Sequence, residues 1–152
     1  MTVPRYRIIR DPDFGFGVPL LGRLFRRRGP MAELLEDFRF RAQGRDFLIP
    51  AGYHWNGASI PALLWGPPWN YQPFGTHVVA SLVHDFLCDL GAGGSDWLRG
   101  ALYDQYPTPL PWQDAHQEFY LRCLAYGAPE TRAKLWWSAV HHFGPRWKLP
   151  LP

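Results

Sequence analysis

The stretch Thr76-His77-Val78-Val79-Ala80-Ser81-Leu82-Val83-His84-Asp85-Phe86-Leu87-Cys88-Asp89-Leu90 decides how the chain is read. Val78, Val79, Leu82, Val83, Phe86, Leu87 and Leu90 recur at intervals of three and four, so the segment from about His77 to Leu90 is expected to be a helix with a wide apolar arc. Thr76 is placed to cap its first turn, and Gly91 to Gly94 to end it. A helix that apolar belongs in a core, yet it carries His84 and Asp85. Burying either group without a partner costs on the order of several kcal/mol, so something must hold them. Neighbouring residues on a helix point about 100° apart, and each of the two is therefore expected to find a separate partner rather than the other. Ser81 precedes Asp85 by four, Cys88 follows His84 by four and His77 precedes it by seven. The helix thus presents a polar seam beside its apolar arc.

Working outward, Tyr6 to Ile9 has the character of a first strand. Phe38, Phe40 and Ala42 alternate with Arg39, Arg41 and Gln43, the period-two signature of a half-buried strand. Gly44-Arg45 is the expected turn and Asp46 to Pro50 the returning strand, followed by Ala51 to Trp55 as a loop or short strand. Residues 11–30, punctuated by Pro12, Gly15, Gly17, Pro19, Gly22, Gly29 and Pro30, read as an irregular basic excursion. Downstream, Ser59 is suited to cap a short helix through Trp65, with Pro61 in its first turn. A third helix, about Trp112 to Tyr126, carries Ala115, Phe119, Cys123 and Leu124 on one face and closes at Gly127. Pro129 opens a fourth, about Glu130 to Phe143, with Leu135, Trp136, Ala139, Val140 and Phe143 expected inward. The expected fold class is α+β, a small N-terminal antiparallel sheet or hairpin packed against three to four C-terminal helices. Residues 1–152 are expected to form a single domain ending in a Pro-rich extended tail, 145–152, whose Trp147 is a candidate docking residue.

At 152 residues and 17.6 kDa the chain is long enough to bury about two thirds of its unfolded surface, so no cofactor is needed for folding. Sixteen per cent of its residues are aromatic and only 19% are charged. Charge is unevenly spread: residues 1–45 hold ten Arg against five acidic groups, while the remainder is net negative. Arg23, Arg26, Arg27 and Arg28 flank Val18, Leu20, Leu21, Leu24 and Phe25, a combination suited to nucleic acid, an anionic surface or an acidic protein. No ribonucleoprotein-type motif accompanies it. Two isolated cysteines, Cys88 and Cys123, give neither a zinc-finger spacing nor a disulfide framework, which points to a reducing compartment. The first residues lack the apolar core of a signal peptide, and no stretch reaches the roughly eighteen apolar residues of a membrane span.

The candidate chemistry centres on His84 as a general base or metal ligand and Asp85 as the group orienting a partner or a water. His116 lies on the inner face of the third helix, one turn before Phe119 and two before Cys123, and approaches His84 if the helices pack antiparallel. His54, on the loop leading to Asn56, completes a candidate metal set of His84, His116 and His54, though no His-Glu-x-x-His spacing supports it. Gly57-Ala58-Ser59-Ile60-Pro61 invites comparison with the Gly-x-Ser-x-Gly nucleophile elbow, but Pro61 supplies a ring where that motif needs space. Ser59 as a nucleophile with His84 as its base stands beside its simpler reading as a helix cap. The plainer account of the whole set is a structural polar cluster in which a neutral His84 is bonded and Asp85 caps loop amides. His141-His142 complements the end of the fourth helix.

The order Ile49-Pro50-Ala51-Gly52, Gly57-Ala58-Ser59-Ile60-Pro61, Val83-His84-Asp85-Phe86-Leu87 and a helix ending near Phe143-Gly144 resembles the largely phage-encoded family known as domain of unknown function 1353, over about residues 38–144. The resemblance implies carboxylates at two positions where this chain has Asn56 and His116. It also implies a phage or prophage origin, often among late structural genes, but no activity. The leading expectation is a phage-encoded accessory or structural protein of the virion or tail module, located in the virion or host cytoplasm and acting through contacts with other phage structural proteins. The alternative is a small hydrolase, cell-envelope directed, in which His84, Asp85 and His116 surround a divalent metal or a water.

Overall fold

A computed structural model describes residues 3–9, 31–57, 76–92 and 108–149. Their elements in chain order are β1 (Tyr6–Ile9), β2 (Met31–Leu34), β3 (Phe38–Ala42), β4 (Arg45–Ile49), β5 (His54–Trp55), α1 (Val78–Ala92), α2 (Trp112–Ala125) and α3 (Glu130–Phe143). The fold is α+β, with small antiparallel sheets against the three helices. Ser59, Arg23, Arg26, Arg27 and Arg28, the expected helix 59–65 and the excursion 11–30 lie outside the described residues.

β2, which the sequence reading did not anticipate, is the central strand of a three-stranded sheet in the order β1-β2-β5. Its register sets Tyr6 opposite Leu34 and Ile9 opposite Met31 on one side, and Ala32 opposite Trp55 and Glu33 opposite His54 on the other. Ala32 and Leu34 point into the core, while Glu33 on the other face pairs with Arg7 and lies 3.8 Å from His54 Nε2. The second sheet is the anticipated hairpin of β3 and β4, with Phe38 opposite Ile49 and Ala42 opposite Arg45. Its turn is Gln43-Gly44 rather than Gly44-Arg45, and both residues have positive φ, at 49° and 75°. A two-residue connection with both residues left-handed matches the twist of paired strands, which is why glycine stands at the second position. Phe40, Ala42, Phe47 and Ile49 face inward as the alternation requires.

α1 is the centre of the molecule. Val78, Val79, Leu82, Val83, Phe86, Leu87 and Leu90 join the strands' inner residues in one core, and Ala80 joins Phe119, Cys123, Ala128, Ala133 and Trp136 in a second core between the helices. The helix starts at Val78, with His77 O accepting the Ser81 amide at 2.8 Å, and runs through Gly91 to Ala92 instead of stopping at the glycine. α2 and α3 each begin directly after a proline, Pro111 and Pro129, with an acidic residue in the first turn where it complements the helix dipole. α3 turns a narrower face inward than expected. Ala133 and Trp136 are buried and Val140 partly so, whereas Leu135, Ala139 and Phe143 are exposed, because among the described residues α3 packs chiefly along α2, meets the start of α1 at His77 and Ala80, and needs one thin stripe for both. No helix among the described residues is long and apolar enough to cross a membrane.

Two long side chains tie the layers together. Arg122 of α2 donates to Arg41 O at 2.8 Å, lies 3.4 Å from Glu118 and covers the Phe40 ring at 5.0 Å. Trp147 turns the tail back onto the core, with Nε1 donating to Leu110 O at 2.9 Å. Its ring occupies the space beside Gly91, where a Cβ would come within 2.0 Å of it. Gly91→Ala is therefore expected to displace Trp147 and destabilise by about 2 kcal/mol. In a Trp147→Ala background the same change should stabilise slightly, by up to about 1 kcal/mol, because alanine is the better helix former. Denaturant midpoints of the four proteins read this reversal, and a Gly91→Ala cost that survives in both backgrounds would disprove the contact.

Candidate functional site

Ala80, His84 and Cys88 follow at intervals of four along the side of α1 that meets α2, so His84 and Cys88 share the seam with His116. His84, Cys88 and His116 are 7%, 6% and 0% exposed. One ligand atom from each can be chosen so that all lie within 4.8 Å of one another. Cys88 Sγ is 3.3 Å from His84 Nε2, and the His84 and His116 rings are 5.1 Å apart between centroids. Phe119 closes one side edge-on to His84, and Trp112 and His141 close the other around His116.

The second nitrogen of His84 is held by its own neighbour. Nδ1 lies 3.4 Å from Asp85 Oδ1, a long contact that corrects the expectation of separate partners. Rotamers swing the two side chains toward each other despite the 100° between their Cα–Cβ directions. Asp85 also engages Asn56, through its backbone amide and, with the side-chain amide turned so that its nitrogen faces the carboxylate, through a 3.1 Å bond to Oδ2. The Asn56 amide thus donates where a carboxylate at this position would repel. One turn on, Tyr53 donates its hydroxyl to Asp89 Oδ2 at 2.8 Å.

Burial governs the proton affinities. It raises the Asp85 carboxyl above the ordinary range, while His84 and Asn56 pull the other way. Asp89 is also raised, by burial first, with Tyr53 opposing and Asp85 adding repulsion. Burial, then the charges of Asp85 and Asp89, push the Cys88 thiol far up, and burial alone pushes Cys123 up to about 12. A nucleophilic cysteine needs the opposite shift, so neither thiol is activated by its surroundings. Burial, with His84 and His141 beside it, lowers His116 to about 4; Arg146 acts in the same sense and the Pro145 carbonyl opposes. Neither His116 ring nitrogen has a hydrogen-bond partner in good geometry.

A histidine whose folded pKa lies below its unfolded value takes up a proton more readily in the unfolded chain. Stability is therefore expected to fall as pH drops from about 6.5 toward 4, by up to about 3 kcal/mol, and His116→Gln should flatten that slope. Urea midpoints measured across this window check it, and equal slopes for both proteins would count against it.

Of the residues singled out from sequence, the structure brings His84, Asp85 and His116 together. It places His54 apart, on β5, half exposed and beside Glu33. Cys88 joins the centre as well; its four-residue spacing from His84 places it in the polar seam but not among the candidate ligands. Trp147 is partly buried against the core.

The family described as "Protein of unknown function (DUF1353)" matches residues 32–140, from the central strand β2 through most of α3. The chain belongs to the DUF1353 family. This DUF1353 chain is also similar to two proteins of Sinorhizobium fredii. It is 32% identical to "Uncharacterized protein y4jT" over 124 residues, covering 79% of this chain and 31% of that protein. With "Uncharacterized protein y4iH" it shares 33% identity over 100 residues, covering 64% of this chain and 33% of the relative. The DUF1353 chain thus spans about a third of the length of these relatives. No solved structure matches it.

Proposed function

We propose that this chain is a hydrolase in which the His84/Asp85 pair activates water at the seam of α1 and α2. The observation carrying the reading is an imidazole oriented by a half-buried carboxylate that is itself held by Asn56, the base-and-orienter arrangement that proton abstraction from water requires. Asp85 keeps about a quarter of its side-chain surface exposed, which gives the pair a route to solvent. The test is turnover of a panel containing activated esters, a phosphodiester and cell-wall peptidoglycan by the full chain. One substrate should be cleaved, with kcat/KM reduced at least about a hundredfold in both His84→Gln and Asp85→Asn while each variant keeps the wild-type circular dichroism. Turnover unchanged in folded variants, or absent from every substrate, would overturn the proposal.

A second reading, an accessory protein of a phage particle working through protein contacts, draws support from α3. Leu135, Ala139 and Phe143 fall at intervals of four, and Leu135 and Phe143 are 56% and 90% exposed, so they form an apolar ridge on the outer side of the helix. Peptide mapping of purified particles tests it: the chain should be present at fixed stoichiometry and lost from particles in Leu135→Glu/Phe143→Glu, and its absence from wild-type particles would exclude this role.

A further inference from the structure

We infer that α1 and α2 hold a divalent transition metal, zinc first among them, through His84 Nε2, Cys88 Sγ and one ring nitrogen of His116. The inference rests on reading the seam as a reactive centre and refines it, since an imidazole whose Nε2 is on a metal serves as ligand and not as base, and the metal would then supply the activation of water; the metal site stands or falls on its own measurements.

Four observations converge. Zinc bonds of about 2.3 Å to sulfur and 2.0 to 2.1 Å to nitrogen, opened at a tetrahedral angle, put two such ligand atoms about 3.5 Å apart. Cys88 Sγ and His84 Nε2 are already 3.3 Å apart. His116 is fully buried and neither ring nitrogen makes a hydrogen bond of good geometry, a condition costing on the order of 1 to 3 kcal/mol that coordination to a metal relieves. Asp85 sits at Nδ1 of His84, the arrangement by which a carboxylate fixes the tautomer of a ligating histidine and leaves Nε2 free as the donor. Lastly, one thiolate and two imidazoles form a soft set that suits zinc and not calcium or magnesium.

Binding breaks the Cys88 S–H bond, releases that proton to solvent and forms a metal–sulfur bond, with no change of oxidation state. Thiolate and divalent cation leave one net positive charge, which the Asp85 carboxylate faces across His84. Three protein ligands leave a fourth position for water, the coordination of a catalytic site and not of a closed structural one.

The full chain, dialysed against chelator, is titrated with Co²⁺ and Zn²⁺. Cobalt should bind at one equivalent with a thiolate-to-metal charge-transfer band, and zinc should displace it. Cys88→Ser, nearly isosteric and expected to fold, should abolish the band, and Cys123→Ser should keep it. His116→Gln should weaken zinc binding at least about a hundredfold, and Asp85→Asn about 10- to 100-fold with the band retained. Absence of cobalt binding by folded wild-type protein, a band that survives Cys88→Ser, or one lost with Cys123→Ser instead, would overturn the site. One equivalent of bound metal without hydrolysis of any substrate removes the proposed activity and keeps the site. Hydrolysis by folded wild-type protein that binds no cobalt removes the site and keeps the activity.

Discussion

Phe86→Ala is expected to lower the free energy of unfolding by about 3 to 5 kcal/mol, a large share of the total for a domain of this size. The ring is fully buried at the middle of α1 and meets two others edge-on, Phe40 of the hairpin at 6.1 Å and Tyr53 ahead of β5 at 5.7 Å. Truncation removes the apolar transfer term and leaves a cavity that neither sheet can close, since each is tied to β-pairing of its own. Tyr53 also carries the bond to Asp89, so loss of its ring support loosens the polar seam from behind. Urea unfolding with an unchanged denaturant slope measures the effect, and a loss under about 1 kcal/mol would show that the rings do not form the contact between helix and sheets.

Arg122→Ala should cost a comparable amount, about 3 to 5 kcal/mol, for an electrostatic reason. The guanidinium is the partner of Glu118, whose side chain is only 8% exposed, and removing one member leaves the other charge buried. Burial already raises the Glu118 carboxyl above its ordinary range, with Arg122 opposing the shift. In the variant that opposition is gone, so the folded pKa rises further above the unfolded one. The folded state then holds its proton more tightly, so the deficit is small in acid, where Glu118 is protonated in both states, and grows as pH climbs through the raised folded value. The double variant Arg122→Met/Glu118→Leu, which removes both charges and keeps the volume, should recover most of the loss. A single-variant deficit that ignores pH would point to lost packing on Phe40 instead.

Much of the fold was legible because apolar spacing carries it. The arc on α1, the alternation in β3 and β4 and the boundaries of α2 and α3 are local patterns that burial rewards directly. β2 escaped because a four-residue strand behind Gly29-Pro30 shows too few alternations to register, and its central place depends on Tyr6 and Trp55, distant in sequence. The outward turn of Leu135 and Phe143 escaped because periodicity defines an apolar stripe but does not say which part of it a neighbour covers. At the candidate site, His84, Asp85 and His116 were legible as polar groups on apolar faces. Cys88 was legible as a seam neighbour of His84 but not as a ligand, since a buried cysteine behaves as a small hydrophobe until a second histidine is seen across from it.

The register that sets Ile9 against Met31 fastens both ends of residues 10–30 at neighbouring points on the sheet, about 5 Å apart. Whatever this arginine-bearing segment does, the sheet holds its two ends side by side. Doubling the length of chain between ends fixed in this way adds only about 0.6 kcal/mol of closure entropy. A homologue or an engineer can therefore lengthen it at little cost to the pairing of the two strands that carry it.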